Sequence, residues 1–333
     1  VNKEMAGVEL RLSRRAFVAG TVMAYADHAM AEDPIVSEWR RIAARSDGLV
    51  GVAALDFGSG RRAGLNASEH FPLASVCKVP IAANILAMVQ EGRLRLSDEI
   101  DVPVYDVVPY VSPIAERWPK QRRFALDEML ELMIAQSDNT AVQTFFRLGG
   151  GEPGMSARFR QWGIAGIRLD RSEREIGLTA AGVRTIPPVE RWTPDLERQL
   201  QPKVPARERL AAMRRFLKDQ RDTATPDATL DLLKKLFRGE LLSPDLTARL
   251  IAMMEKTTTG PARIKGLLPA GTVVAHKTGT TGSAGSLNGG TNDVGIVSGR
   301  VAIAVYVKGS TRPLQARERI IAEMTRAFVG QAF

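Results

Sequence analysis

Apolar residues follow two rhythms along this chain. Ser37–Arg45 carries Trp39, Ile42 and Ala43 at helical spacing, and Leu49–Phe57 is an apolar, strand-like run. Gly58-Ser59-Gly60 turns that run back toward Arg62–Leu65, which predicts a hairpin. A long apolar stretch from Ser75 to Glu91 reads as a helix stopped at Gly92. Leu126–Ile134, Thr140–Leu148, Thr225–Phe237 and Ser243–Lys256 are further helices, the last with Pro244 in a favourable first-turn position. Then the rhythm reverts. Thr272–Thr278, Asp293–Val297 and Val301–Val307 are rich in β-formers, and Pro313–Val329 closes the chain with a helix. Strands at both ends and helices between predict an α+β fold: one antiparallel sheet made from the two chain ends, beside an all-helical lobe. A cleft between the two is the natural place for a site.

The first thirty residues fit neither rhythm. Leu-Ser-Arg-Arg-Ala-Phe-Val at 12–18 leads into a mostly apolar stretch to Ala26, then Ala29-Met30-Ala31. A charged start, a short apolar core and a small-x-small end predict a signal peptide over 1–31, of twin-arginine type. The alternative is an amphipathic N-terminal helix. The apolar core is too short for a stable membrane anchor, and no cysteine follows the cleavage point to carry a lipid. The expectation is a periplasmic or secreted protein whose catalytic domain spans 32–333.

Composition narrows the function classes. A 44% hydrophobic and 25% charged chain of 333 residues builds one large domain or two closely packed ones. Its net charge of +9 raises nucleic acid as a partner. Aromatic-basic repeats and zinc-knuckle spacing are lacking, so a soluble basic monomer is the simpler reading. The single cysteine, Cys77, excludes an intramolecular disulfide. His28, His70 and His276 have no ligand spacing, so neither metal nor cofactor is expected, and a Ser-His-Asp triad is poorly supported. In a hydrolase of this composition, proton transfer falls to lysine and glutamate.

Three segments carry candidate chemistry. In Ser75-Val76-Cys77-Lys78 the hydroxyl and the ammonium lie three apart on one helix face, at a helix start where free N–H groups favour an oxyanion. Alone, such a motif is as well explained by a cap and a solvated lysine. Ser137-Asp138-Asn139 sits in the turn before a helix, where a capping cluster is the plainer reading. His276-Lys277-Thr278-Gly279-Thr280 ends an apolar strand, and Gly279 is expected to leave the strand edge open to a ligand.

The three in this order resemble the motif set of the penicillin-recognising serine enzymes. Arg168-Leu169-Asp170-Arg171-Ser172-Glu173 resembles the start of the class A β-lactamase Ω loop, and the similarity extends over most of residues 36–330. It implies a β-lactamase/transpeptidase-like α/β/α sandwich, with 72–270 mainly the helical lobe, acting on a small-molecule β-lactam. By the same resemblance Ser75 is the nucleophile and Lys78 keeps it deprotonable. Ser137, bridged to Lys277, passes a proton to the departing nitrogen, and Glu173 activates the water that releases product. Asn139, Thr278, Gly279, Thr280 and Arg263 hold the substrate. The alternatives are a DD-carboxypeptidase, or a penicillin-binding or sensor protein that deacylates slowly.

Two departures stand out. Where class A enzymes usually carry an asparagine four residues after the glutamate, this chain has Gly177. The loop pinned between Arg171 and Asp222 is several-fold longer than usual, with an insert at about 178–220. Its segment Val183–Arg221 holds ten basic and five acidic residues. Arg207–Lys218 within it reads as a helix, either packed on the helical lobe or serving as a lid.

Overall fold

A computed structural model describes residues 33–200 and 203–332; the expected export signal lies outside the described residues. Helix α1 (Pro34–Ala43) starts where the Asp33 carboxylate accepts from Ile35 N at 2.9 Å. β1 (Leu49–Asp56) and β2 (Arg62–Leu65) make the expected hairpin, followed by β3 (Phe71–Pro72). The long apolar stretch then divides into a 3-10 turn, Ala74–Cys77, and α2 (Lys78–Gln90). Next come β4 (Glu99–Asp101), α3 (Pro113–Arg117), β5 (Arg123–Ala125), α4 (Leu126–Ala135), α5 (Asn139–Leu148) and α6 (Gly151–Trp162). The extended loop carries α7 (Glu173–Ala181), α8 (Pro194–Leu200) and α9 (Ala206–Phe216). It ends in β6 (Thr223–Ala224), which pairs with β3. Helices α10 (Pro226–Phe237) and α11 (Pro244–Glu255) precede β7 (Val274–Thr280), β8 (Ser283–Ala284), β9 (Leu287–Asn288), β10 (Thr291–Val297), β11 (Val301–Lys308) and α12 (Leu314–Ala332).

Five strands form one antiparallel sheet in the order β2-β1-β11-β10-β7, so the two chain ends meet at β1 and β11. Alternation along those strands sorts side chains between two cores. Val50, Val52, Ile303 and Val305 face α1 and α12 with Trp39 and Phe328; Ala53, Ala302, Ala304 and Tyr306 face the helical lobe. The bulky β-branched side packs against two helices. The alanine side admits the larger lobe, whose central helix α2 is buried on nearly every face. This is the expected α/β/α layering.

Several elements escaped the sequence pattern. Helix α6 begins Gly-Glu-Pro-Gly, which reads as a turn, and α7 and α8 are short and only partly apolar. Cys77 is buried in the lobe core, and burial pushes its thiol up to about 12. It is a core residue, with no thiolate for chemistry. Native protein should therefore leave Ellman's reagent unconsumed over the minutes in which urea-unfolded protein releases one equivalent. Fast native labelling would contradict this packing.

Candidate active site

The turn that carries Ser75 is held from three sides. Ala74 sits at φ 47°, a left-handed conformation that alanine seldom adopts. Such a residue costs of order 1–3 kcal/mol and persists only where its surroundings fix it. Leu73 N donates to Asp222 O at 3.0 Å, and Asn292 Nδ2 donates to Pro72 O at 2.8 Å and Leu73 O at 3.2 Å. The third support is Gly279. A Cβ there would lie 2.7 Å from Leu73 O and 3.2 Å from Ala74 Cβ, so edge strand β7 comes up against the Ser75 turn only because residue 279 has no side chain. The space beside Gly279, expected to admit a ligand, is filled by the chain itself.

Because Ser75 lies in a 3-10 turn, where residues three apart eclipse, the hydroxyl stands directly over Lys78. Lys78 Nζ is fully buried, 3.1 Å from Ser75 Oγ, 2.7 Å from Ser137 O, 3.0 Å from Ser137 Oγ and 2.6 Å from Asn139 Oδ1. Two of these partners, the carbonyl and the amide oxygen, only accept. They occupy two N–H bonds, and the remaining position faces two hydroxyls. An ammonium donates there; a neutral amine accepts a proton there. Burial lowers the Lys78 pKa, opposed by the charge of Glu173.

Ser137 joins the second lysine to the first. Lys277 Nζ, also fully buried, donates to Ser137 Oγ at 3.1 Å and to Thr278 O at 3.2 Å. Its pKa is lowered by burial and then by repulsion from Lys78. Ser137 reaches between the two amines from a left-handed conformation, φ 63°. Asp138 is the N-cap of α5, accepting from Ala141 N at 2.8 Å and Ile114 N at 2.8 Å. The segment is thus a capping cluster and a chemical one at once.

Glu173 opens α7, where Ser172 and Glu175 make a capping box and the helix start favours a carboxylate. Burial raises its pKa, and the Lys78 charge opposes the rise. Two ion pairs hold its segment. Arg171 Nε meets Asp222 Oδ2 at 2.6 Å, and Asp222 Oδ1 accepts from Asp170 N and Arg171 N at 2.7 and 2.9 Å. On the other side, Arg174 Nε meets Glu197 Oε2 at 3.2 Å, with both side chains almost wholly buried. The Arg174 guanidinium also lies over the Trp192 ring at 4.4 Å and donates to Tyr105 O and Val107 O. Trp192 and Glu197 belong to the insert, so part of the insert is a clamp on the helix that carries Glu173.

Ser75, Ser137, Asn139, Glu173, Thr278, Thr280 and Arg263 line one cavity of about 820 Å³. Arg263 is buried. Its Nη1 donates to Gly279 O and Asn292 O at 3.1 and 2.8 Å, its Nε to Glu318, and its Nη2 to Thr280 Oγ1 at 2.7 Å. Thr278 Oγ1 lies 2.5 Å from Thr259 Oγ1. From the insert, α9 contributes Arg209, Met213 and Phe216 to the cavity wall. Met213 and Phe216 pack with Ala284 of β8, and Ile176 and Ala180 of α7 lie against them, so α9 bridges α7 and the β8–β9 hairpin. His276 is committed elsewhere, its Nδ1 3.0 Å from both Asp293 oxygens inside the sheet region.

Tyr110, Arg174, Trp192 and Glu197 were not among the residues that the motifs singled out. No spacing marks them: Tyr110 comes from an irregular loop, Trp192 and Glu197 from the insert, and Arg174, beside Glu173 on α7, finds its partners far along the chain.

Comparison with known proteins gives the chain a family. The sequence model described as the Beta-lactamase enzyme family matches residues 34–332. The β-lactamase SME-1 of Serratia marcescens is 28% identical over 308 residues, 91% of this chain and 90% of that protein. The carbapenem-hydrolyzing β-lactamase KPC of Klebsiella oxytoca is 29% identical over 283 residues, 84% of this chain and 82% of its own length. A β-lactamase structure from Chitinophaga pinensis superposes with a TM-score of 0.75 at 31% identity, covering 90% of this chain and all of that one. An ancestral class A β-lactamase (GNCA) gives 0.72 at 31% identity, with the same coverage.

Proposed function

From the premise that this chain belongs to the β-lactamase enzyme family, as a class A serine enzyme acting on β-lactams, we propose that it works through a Ser75 acyl-enzyme released by water activated at Glu173. The observation that carries the reading is the Ser75–Lys78–Ser137–Lys277 hydrogen-bonded line, whose two serines share one cavity with the half-buried Glu173 carboxylate.

Ser75 Oγ attacks the lactam carbonyl carbon as its proton leaves toward the Lys78 amine, or through a water to Glu173. The backbone N–H groups of Ser75 and Thr280 take the oxyanion. As the C–N bond breaks, Ser137 gives its proton to the ring nitrogen and regains one from Lys78 or Lys277. Thr278, Thr280 and Lys277, with Arg263 fixing the Thr280 hydroxyl, receive the substrate carboxylate. Asn139 holds the side-chain amide. In the second half, Glu173 takes a proton from water, the new C–O bond forms at the ester carbon, and Ser75 leaves with a proton. Gly279 serves by letting β7 reach the turn. Export to the periplasm or medium as a monomer belongs to the same proposal.

The test is a chromogenic cephalosporin followed by absorbance and intact mass. Steady turnover is expected from the natural protein, and Glu173→Ala should accumulate one Ser75 adduct with deacylation slowed about 10²–10⁴-fold. Glu173 must be a carboxylate to act, and its folded pKa is raised. Deacylation should therefore fall, as pH drops, at a higher pH than an ordinary carboxylate sets, and this limb should vanish in Glu173→Ala. One burst and then silence in the natural protein would favour the slowly deacylating reading.

A further inference from the structure

A general base alone does not place a water. The attacking molecule needs a second polar contact to fix its oxygen on the line to the ester carbon, since misplacement by an ångström can cost 10²-fold. On the face of α7 that continues from Glu173, the residue one turn on is Gly177, which has no side chain to offer. What stands over Gly177 is the phenol of Tyr110. A Cβ on Gly177 would lie 2.8 Å from Tyr110 Oη, so the glycine is the condition for the phenol to be there. Tyr110, Gly177, Glu173 and Ser75 line the same cavity.

The phenol is also short of partners. Tyr110 Oη is buried and has no hydrogen bond to protein among the described residues, and neither has Glu197 Oε1. The two groups are neighbours all the same. Burial and then the Glu197 charge raise the Tyr110 pKa; burial raises that of Glu197 too, opposed by Arg174 and then by the phenol. The Glu173 charge also reaches Tyr110. Tyr110 therefore stays a hydroxyl, whose lone pairs can accept from a donor. Glu197 is itself fixed by Arg174, the residue after Glu173.

We propose that the Tyr110 hydroxyl, which the missing side chain at Gly177 admits beside α7, accepts a hydrogen bond from the hydrolytic water and holds it against Glu173. The water gives one hydrogen to Tyr110 Oη and the other to the Glu173 carboxylate, which leaves its lone pair for the acyl carbon. Tyr110 takes no proton in the step. The assignment rests on Glu173 being the deacylating base.

The experiment compares Tyr110→Phe, Glu173→Gln and the double variant Tyr110→Ala with Gly177→Asn, using the same cephalosporin in stopped flow with intact mass. Tyr110→Phe should acylate at the natural rate and deacylate about tenfold to 10²-fold more slowly. Its kcat and KM should fall together while kcat/KM holds, with the Ser75 adduct visible by mass. A merely structural role would leave that split unmoved. The double variant removes the phenol and fills its space with an amide, and should recover most of the lost deacylation. Normal deacylation in Tyr110→Phe beside a trapped Glu173→Gln overturns the role of Tyr110 and leaves the base in place. Normal deacylation in both variants overturns the base reading, and the water-holding role with it.

Discussion

Lys78→Met should slow acylation about 10³–10⁴-fold, the upper part of what a positioned general base contributes. The four contacts of Nζ include the Ser75 and Ser137 hydroxyls, so the loss removes the nearest acceptor for the serine proton and cuts Ser137 off from one of its two amines. It also leaves Ser137 O and Asn139 Oδ1 without that donor, at roughly 1–3 kcal/mol each. Removing a fully buried amine recovers its desolvation cost, so the thermal midpoint should move little. A second readout follows from the pair. The Lys78 charge restrains the rise in Glu173 proton affinity, so its removal should send the Glu173 carboxyl pKa higher still, visible by difference infrared spectroscopy. An acylation loss below tenfold would instead give the serine proton to Glu173 through water.

Asp222→Ala should cost about 3–5 kcal/mol, because it takes the close partner from the buried Arg171 guanidinium and leaves it only Asp219 at 3.5 Å. Three further losses accompany it. Asp170 N and Arg171 N lose their acceptor, and residue 222 sits at φ 53°, which aspartate tolerates better than alanine. A drop in midpoint on the order of 10 °C is expected by calorimetry. Deacylation should suffer more than acylation, since α7 loses its anchor while the Ser75–Lys78 pair keeps its own. Asp222→Asn, which keeps the backbone acceptor without the charge, should fall between. A natural midpoint and natural deacylation in Asp222→Ala would mean that the pair holds nothing.

Much of the fold was legible because its strands are buried on both faces. β1, β10 and β11 read as apolar runs, and the hairpin turn was marked by its glycines. The nucleophile turn, the capping turn and the β7 strand end were legible because each packs its chemistry into a few consecutive residues. What stayed hidden is non-local. Trp192 and Glu197 converge on Arg174 from 18 and 23 residues further along the sequence, with no periodicity to link them. Tyr110 meets Gly177 from an irregular loop. Gly279 was read as room for a ligand because a missing side chain does not say what fills its place; here Leu73 and Ala74 do. Insert helix α9 showed its periodicity, but only the packing of Met213 and Phe216 tells that it walls the cavity.

The tight approach of residue 177 to the phenol ties two positions into a single inherited unit. Any side chain gained at 177 alone crowds the phenol oxygen, and any shrinkage at 110 alone opens a void beside α7. Change at either site is therefore disfavoured unless the other gives way, so descendants of this lineage should tend to carry the two residues as a pair.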